Sequence, residues 1–140
     1  MHMKSKFYFF LLIPTLLFAS CTKWLADGQQ YIYGSWKIVS IQQQGPNASI
    51  EVNSPYKAGT FYLGNNGDAQ YSDQIGPMSG TWKLVSRPQD GTNSLEMRLY
   101  DNHSSDAIEW EFYTVDISAN RLVGYMNRFG YDYRYEFTRY

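Results

Sequence analysis

Residues 107–117 read AIEWEFYTVDI. Ile108, Trp110 and Phe112 alternate with Glu109 and Glu111, the period of two that a strand with one buried face imposes. After Phe112 the apolar phase moves to Val115 and Ile117, so the spacing predicts a bulge near Tyr113 or Thr114. The same alternation extends outward in both directions. Upstream, residues 94–100 (SLEMRLY) put Leu95, Met97 and Leu99 on one face and Glu96 and Arg98 on the other. Downstream, residues 131–139 (YDYRYEFTR) set Tyr131, Tyr133, Tyr135 and Phe137 against Asp132, Arg134 and Glu136.

Short alternating runs at 34–43, 59–63, 68–71, 80–85 and 121–127 complete the pattern, with a weaker one at 49–52. Turn residues separate them: Gly45-Pro46-Asn47, Asn65-Asn66-Gly67, Ile75-Gly76-Pro77-Met78, residues 101–106 (DNHSSD), Ser118-Ala119-Asn120 and Phe129-Gly130. Asn and Gly accept positive φ, which makes the 65–67 segment a strong hairpin signal. No helix longer than a turn is expected. The count is eight strands, or nine with the weak one, joined by consecutive short connections. Such connections favour an antiparallel up-and-down β-barrel of about eight strands.

One phrase occurs twice: residues 34–45 read GSWKIVSIQQQG and residues 80–91 read GTWKLVSRPQDG. Either both segments start strands under the same local demands, or two related halves of the domain each carry a copy. On both readings Trp36 and Trp82 face the core.

The first twenty residues have the layout of an export signal. Lys4 and Lys6 precede the apolar residues 7–18 (FYFFLLIPTLLF). As a helix that segment spans roughly 18 Å, short of the ~30 Å hydrocarbon core, and Pro14 interrupts it. Residues 17–21 (LFASC) resemble the lipobox of bacterial lipoproteins, cut before a cysteine that receives a diacylglycerol; Phe18 stands where Leu, Val or Ile is more usual. Cys21 is the chain's single cysteine, although an exported chain enters a disulfide-permissive compartment. The expected organisation is a signal peptide over 1–20, a lipidated tether over 21–30 that includes Trp24 and Leu25, and a β-domain over 31–140. The lipid on Cys21 would hold the chain to a membrane without help from the folded domain. Thr22-Lys23 after the cysteine lacks the aspartate, at the position next to it, that is associated with inner-membrane retention. An outer-membrane anchor facing the periplasm is therefore the expected address.

Cleavage before Cys21 would leave 120 of the 140 residues, the size of one domain, with ten Lys/Arg against thirteen Asp/Glu. That balance argues against nucleic-acid binding, which calls for a clustered basic face.

Residues 34–39 (GSWKIV) resemble the Gly-x-Trp opening of lipocalins and, more closely, of the lipocalin-like domains carried by bacterial lipoproteins. A second Gly-x-Trp-x-Leu, common in mid-domain there, is matched by residues 80–84, and the resemblance covers roughly 31–140. It implies that Trp36 plugs the closed end of the barrel under a stacked arginine. Arg139 is the first candidate, on its phase with Tyr135 and Phe137; Arg134 is the competitor. The family's paired cysteines are missing, so closure would rest on packing and hydrogen bonds.

Catalytic chemistry finds little support. His103 is the one histidine after the signal and lies in a polar turn. Metal-ligating and nucleophilic His/Cys arrangements are absent from the sequence once Cys21 is lipidated, and no cofactor motif appears. Glu109 and Glu111 share a strand face, but their phase opposes Trp110 and places them in solvent. Asp101, Asp106 and the 65–68 turn could offer oxygens to calcium, yet turn chemistry accounts for them.

An eight-stranded barrel holds one small ligand or is filled by side chains. The inward phase comprises Leu95, Met97, Leu99, Ile108, Trp110, Phe112, Tyr131, Tyr133 and Tyr135, a lining suited to a small hydrophobic or amphiphilic molecule. The leading expectation is an anchored envelope lipoprotein that binds or carries such a molecule. The alternative is a filled barrel that binds an envelope protein through its outer face, where Tyr113, Tyr125 and Arg128 suit an interface.

Overall fold

Alternation along the chain resolves into ten antiparallel strands in a computed structural model that describes residues 29–140 except 75 and 88. The expected signal peptide, Cys21, Trp24 and Leu25 lie outside the described residues. The strands are β1 (Gly34–Gln44), β2 (Ser49–Glu51), β3 (Thr60–Leu63), β4 (Asp68–Ser72) and β5 (Pro77–Arg87). They continue as β6 (Thr92–Asp101), β7 (Ala107–Phe112), β8 (Thr114–Ile117), β9 (Arg121–Arg128) and β10 (Tyr131–Arg139). Helix among the described residues is limited to α1 (Gln29–Ile32) and a 3₁₀ turn (Pro55–Ala58). No described helix is long and apolar enough to cross a membrane.

Sheet order is β7-β6-β5-β4-β3-β1-β10-β9-β8, with β2 paired to the far end of β1. The count exceeds the expected eight or nine for one reason: residues 107–117 divide at Tyr113, where the apolar phase shifts. β7 pairs with β6, β8 pairs with β9, and the Tyr113 amide donates to the Tyr125 carbonyl at 2.9 Å. The two ends of the hydrogen-bonded path are thus consecutive in the chain, but no ladder joins β7 to β8 and the sheet is open there. Gly124 permits the close approach of β9 at this point, since a Cβ there would stand 2.6 Å from the Phe112 ring. A second irregularity lies in β1, where the register with β10 shifts between Ile38 and Ser40. The shift turns both Ile38 and Ile41 inward.

The inner faces enclose one core. β7 has a strict exposed–buried alternation, with Ile108, Trp110 and Phe112 inside. Trp36 and Trp82 are both buried, and each indole donates to a carbonyl, Trp36 to Ile32 at 2.7 Å and Trp82 to Gly64 at 2.8 Å. They occupy comparable environments although successive antiparallel pairings make β1 and β5 run in opposite directions.

The chain enters at the Trp36 end, where α1, the 64–67 and 118–120 turns and the end of β10 gather. The opposite end carries the 45–48 and 102–106 loops, the 3₁₀ turn and the Phe129-Gly130 hairpin.

Candidate functional site

Of the nine residues assigned to the interior by their phase, Leu95, Met97, Leu99, Ile108, Trp110, Phe112 and Tyr135 are buried, and Tyr133 is half-buried. Tyr131 departs from that reading: it is 54% exposed. Its phase is inward, but it sits at the hairpin end of β10, beyond the core. Burial along β10 deepens from Tyr131 through Tyr133 to Tyr135 and Phe137.

The interior these residues form is filled with rings. Trp110 lies within 5.2–5.7 Å, centroid to centroid, of Tyr135, Phe61 and Tyr56, and 6.0 Å from Phe112. Tilted and edge-to-face packing of this kind is the favoured aromatic geometry. The void bordered by Trp36, Phe61, Met97 and Phe137 amounts to about 10 Å³. That is at the lower limit for a single water, far below the ~300 Å³ of a small-molecule site. Among the described residues this part of the interior is packed core rather than pocket.

Each end of the core is sealed differently. At the Trp36 end, Arg139 pairs with Trp36 in register and sets its guanidinium carbon 4.4 Å from the indole centroid. Its nitrogens donate to the carbonyls of Ala119 (2.5 Å), Tyr33 (2.7 Å) and Tyr31. Gly34, at φ +118°, makes room: a Cβ there would lie 2.6 Å from the Arg139 Nη1. Arg134 faces outward and donates to Glu136 at 2.8 Å. At the other end Tyr56, carried on the 3₁₀ turn, packs edge-on against Tyr71 and Trp110. Tyr71 donates to Asp73 at 2.9 Å, and burial first and then this carboxylate push its hydroxyl pKa up.

The outer surface contains the remaining candidates. His103 is exposed, and its amide donates to the Asp101 carboxylate at 2.7 Å. The Ser104 hydroxyl also donates to Asp101, so this carboxylate is used in the turn, and its pKa is lowered mainly by the His103 amide. Asp68 accepts from Asn66 in the other acidic turn. Among the described residues no group of three or more His, Cys, Asp or Glu is placed to hold a metal ion. Glu109 and Glu111 are exposed on β7; Glu109 accepts from Tyr100 at 2.8 Å, and Glu111 lies opposite Glu96.

Two exposed regions stand out. One is the hairpin between β9 and β10. Phe129 is 85% exposed and adopts φ +54°, followed by Gly130 at φ +81°. Two positive φ values fit a two-residue type I′ turn, whose first position favours Asn, Asp or Gly. An aromatic residue there bears a backbone cost of about 1–2 kcal/mol while exposing its ring. Arg128 lies 5.2 Å from that ring, and Tyr131 and Ile50 are exposed at the same end of the sheet. The sequence alone points to Arg128; an aromatic before Gly in a tight turn marks Phe129 as well. Tyr113 is 45% exposed and Tyr125 half-buried on the neighbouring face.

The second region is the outer face of β3, β4 and the first part of β5, a groove of about 430 Å³. No residue of it was singled out by the sequence.

No protein-family model and no curated protein matches the chain. Among solved structures it is similar to a chain from the de novo design of a fluorescence-activating β-barrel. The identity is 20% and the TM-score 0.47, over 83% of this chain and all of the other.

Proposed function

We propose that this chain is a lipid-anchored envelope protein that works by binding another protein through its surface. The observation that carries this reading is the filled interior: rings meet across it, and the void beside Trp36 is about 10 Å³. Binding capacity then belongs to the outer surface. In this reading the strands form a lipocalin-like barrel of eight staves, with residues 107–117 as a single bent stave that pairs β6 with its first half and β9 with its second.

The Phe129 tip is the contact we favour, because an exposed ring on a strained turn beside an arginine suits an interface anchor. The tip lies at the opposite end from α1, where the described chain begins. An anchor at Cys21 would leave this tip facing away from the attachment point. Supporting the anchor are the apolar segment at 7–18 and the single cysteine behind Ala19-Ser20. An outer-membrane position facing the periplasm is part of the same proposal.

A photoreactive phenylalanine placed at position 129, illuminated in intact cells, tests the contact. One discrete protein adduct, absent when the probe replaces Glu111, is the expected result; equal labelling at both positions would overturn it. Native mass spectrometry of protein from its own host is expected to show no retained small molecule, and a stoichiometric one would restore the carrier reading. Cys21→Ser is expected to move the protein out of the membrane fraction, and its retention there would remove the anchor.

A further inference from the structure

At the Phe129 end, β2, β1, β10 and β9 carry side chains of inward phase out beyond the core. Ile50, Gln43, Tyr133 and Met126 are successive register partners across these four strands. Partners in one row share a face, and buried Met126 marks this one as the core side. Burial thins along the row, from Met126 through half-buried Tyr133 to Ile50, which is 65% exposed. Two residues nearer the hairpin, Tyr131 and Arg128 are partners on the same side. At strand spacings of ~4.8 Å and ~3.4 Å per residue, this lip is on the order of 14 Å by 7 Å, and the Phe129 turn closes one corner of it.

The cation of this lip is uncommitted. Arg98, Arg121 and Arg134 pair with glutamates, and Arg139 donates to carbonyls. Arg128 makes no ion pair or hydrogen bond with another described residue, and its guanidinium meets the Phe129 ring. Asp132, next to Tyr131 in the chain, belongs to the other face, where it accepts from its register partner Asn127 at 2.9 Å. Burial raises the Tyr135 hydroxyl pKa and the Arg128 charge acts against that rise, so the cation is felt at the mouth of the core.

Two exposed rings, an exposed isoleucine and an unpaired arginine gathered at one place are the residue types that anchor protein interfaces. Their chemistry also says what the other side carries. The rings and Ile50 take apolar side chains. Arg128 at the edge takes one carboxylate, which a guanidinium holds through two parallel hydrogen bonds. An anionic membrane surface or a nucleic acid recruits clusters of cations instead, and the lip offers one.

We propose that this lip receives a segment of the partner protein in which an aspartate or glutamate stands next to apolar side chains. Arg128 takes the carboxylate, and Ile50, Phe129 and Tyr131 take the apolar groups. The proposal rests on the protein-binding reading of the Phe129 tip and names the chemistry of the partner at that site.

The test places the photoreactive phenylalanine at position 131 and illuminates intact cells. The protein adduct formed from position 129 is expected from position 131 as well. With the probe at 131, Arg128→Glu and Ile50→Glu are each expected to cut the adduct yield about tenfold or more, the loss of roughly one good contact. Arg128→Lys, which keeps the charge, should retain more than Arg128→Glu, and Gln42→Ala on the opposite face should change nothing. Mass spectrometry of the adduct identifies the labelled segment, and changing its neighbouring carboxylate residue to lysine should restore the yield lost with Arg128→Glu. Arg128 and Ile50 are exposed, and unchanged circular dichroism confirms that the variants fold. No protein adduct from either position would overturn the protein-binding reading and this proposal with it. An adduct from 129 but not from 131, an undiminished yield in folded Arg128→Glu, a labelled segment without aspartate or glutamate, or labelling of phospholipid at 131 would overturn this proposal alone.

Discussion

Two outer faces of the same sheet differ in the charge of their polar side chains. On β8–β10 and the adjoining part of β1 they bond to one another. Glu136 accepts from Arg121 and Arg134, each at 2.8 Å, and across β1 Glu51 accepts from Ser40 at 2.8 Å and Lys57 at 2.7 Å. The two arginines hold the Glu136 pKa down at about 2, Arg121 more than Arg134. On the outer face of β3–β5, Tyr62, Gln70 and Ser79 are exposed and uncharged. Both faces lie over one core, so the difference is not a matter of support.

The comparison breaks most severely where the shared support is removed. Trp110→Ala should cost about 3–5 kcal/mol, since a large buried ring is replaced by a cavity. The urea midpoint should fall with little change in slope, and both faces should be lost together. Arg139→Ala comes next, at about 2–3 kcal/mol, because it removes charge-assisted bonds to three carbonyls and the stack on Trp36. Arg139→Lys should recover part of this, keeping the charge but not the fork.

Within the charged face, Glu136→Gln should cost about 1 kcal/mol at neutral pH, a value kept small by partial exposure. Its sign with pH follows from the lowered pKa. The contribution is complete above the ordinary glutamate value of 4.5 and is lost as pH falls from there toward about 2. A stability–pH curve flattened over that acid window in the variant checks it; an unchanged curve would refute the ion-pair account. Phe129→Asn should stabilise the chain by about 0.5–1 kcal/mol, since Asn accepts the type I′ position at lower strain, while the adduct-forming contact is lost. Smallest is Tyr62→Ser on the neutral face, with a stability change below about 0.5 kcal/mol, because nothing in the fold depends on that ring.

Parts of this were legible in the residues. The phase shift between Phe112 and Val115 locates the break that divides β7 from β8, because side-chain alternation is a local property of extended backbone. Between Arg139 and Arg134, strand phase already favours Arg139. Register agrees, placing Arg139 directly opposite Trp36 and Arg134 against Glu136. Tyr131 illustrates a further limit: alternation assigns a face, but depth depends on how far the neighbouring strands extend beside it.

From the sequence alone one can read that the chain is antiparallel β, where most strands and turns fall, and that Trp36, Trp82 and Trp110 face inward. These follow from the period of two and from turn chemistry within a few residues. The tertiary structure alone decided that the void beside Trp36 is only about 10 Å³, because a void is the remainder of volumes contributed by strands far apart in sequence. It also decided that Ser35, Tyr62, Gln70 and Ser79 form one surface. Each is unremarkable where it stands in the chain; only the register of four strands sets them side by side.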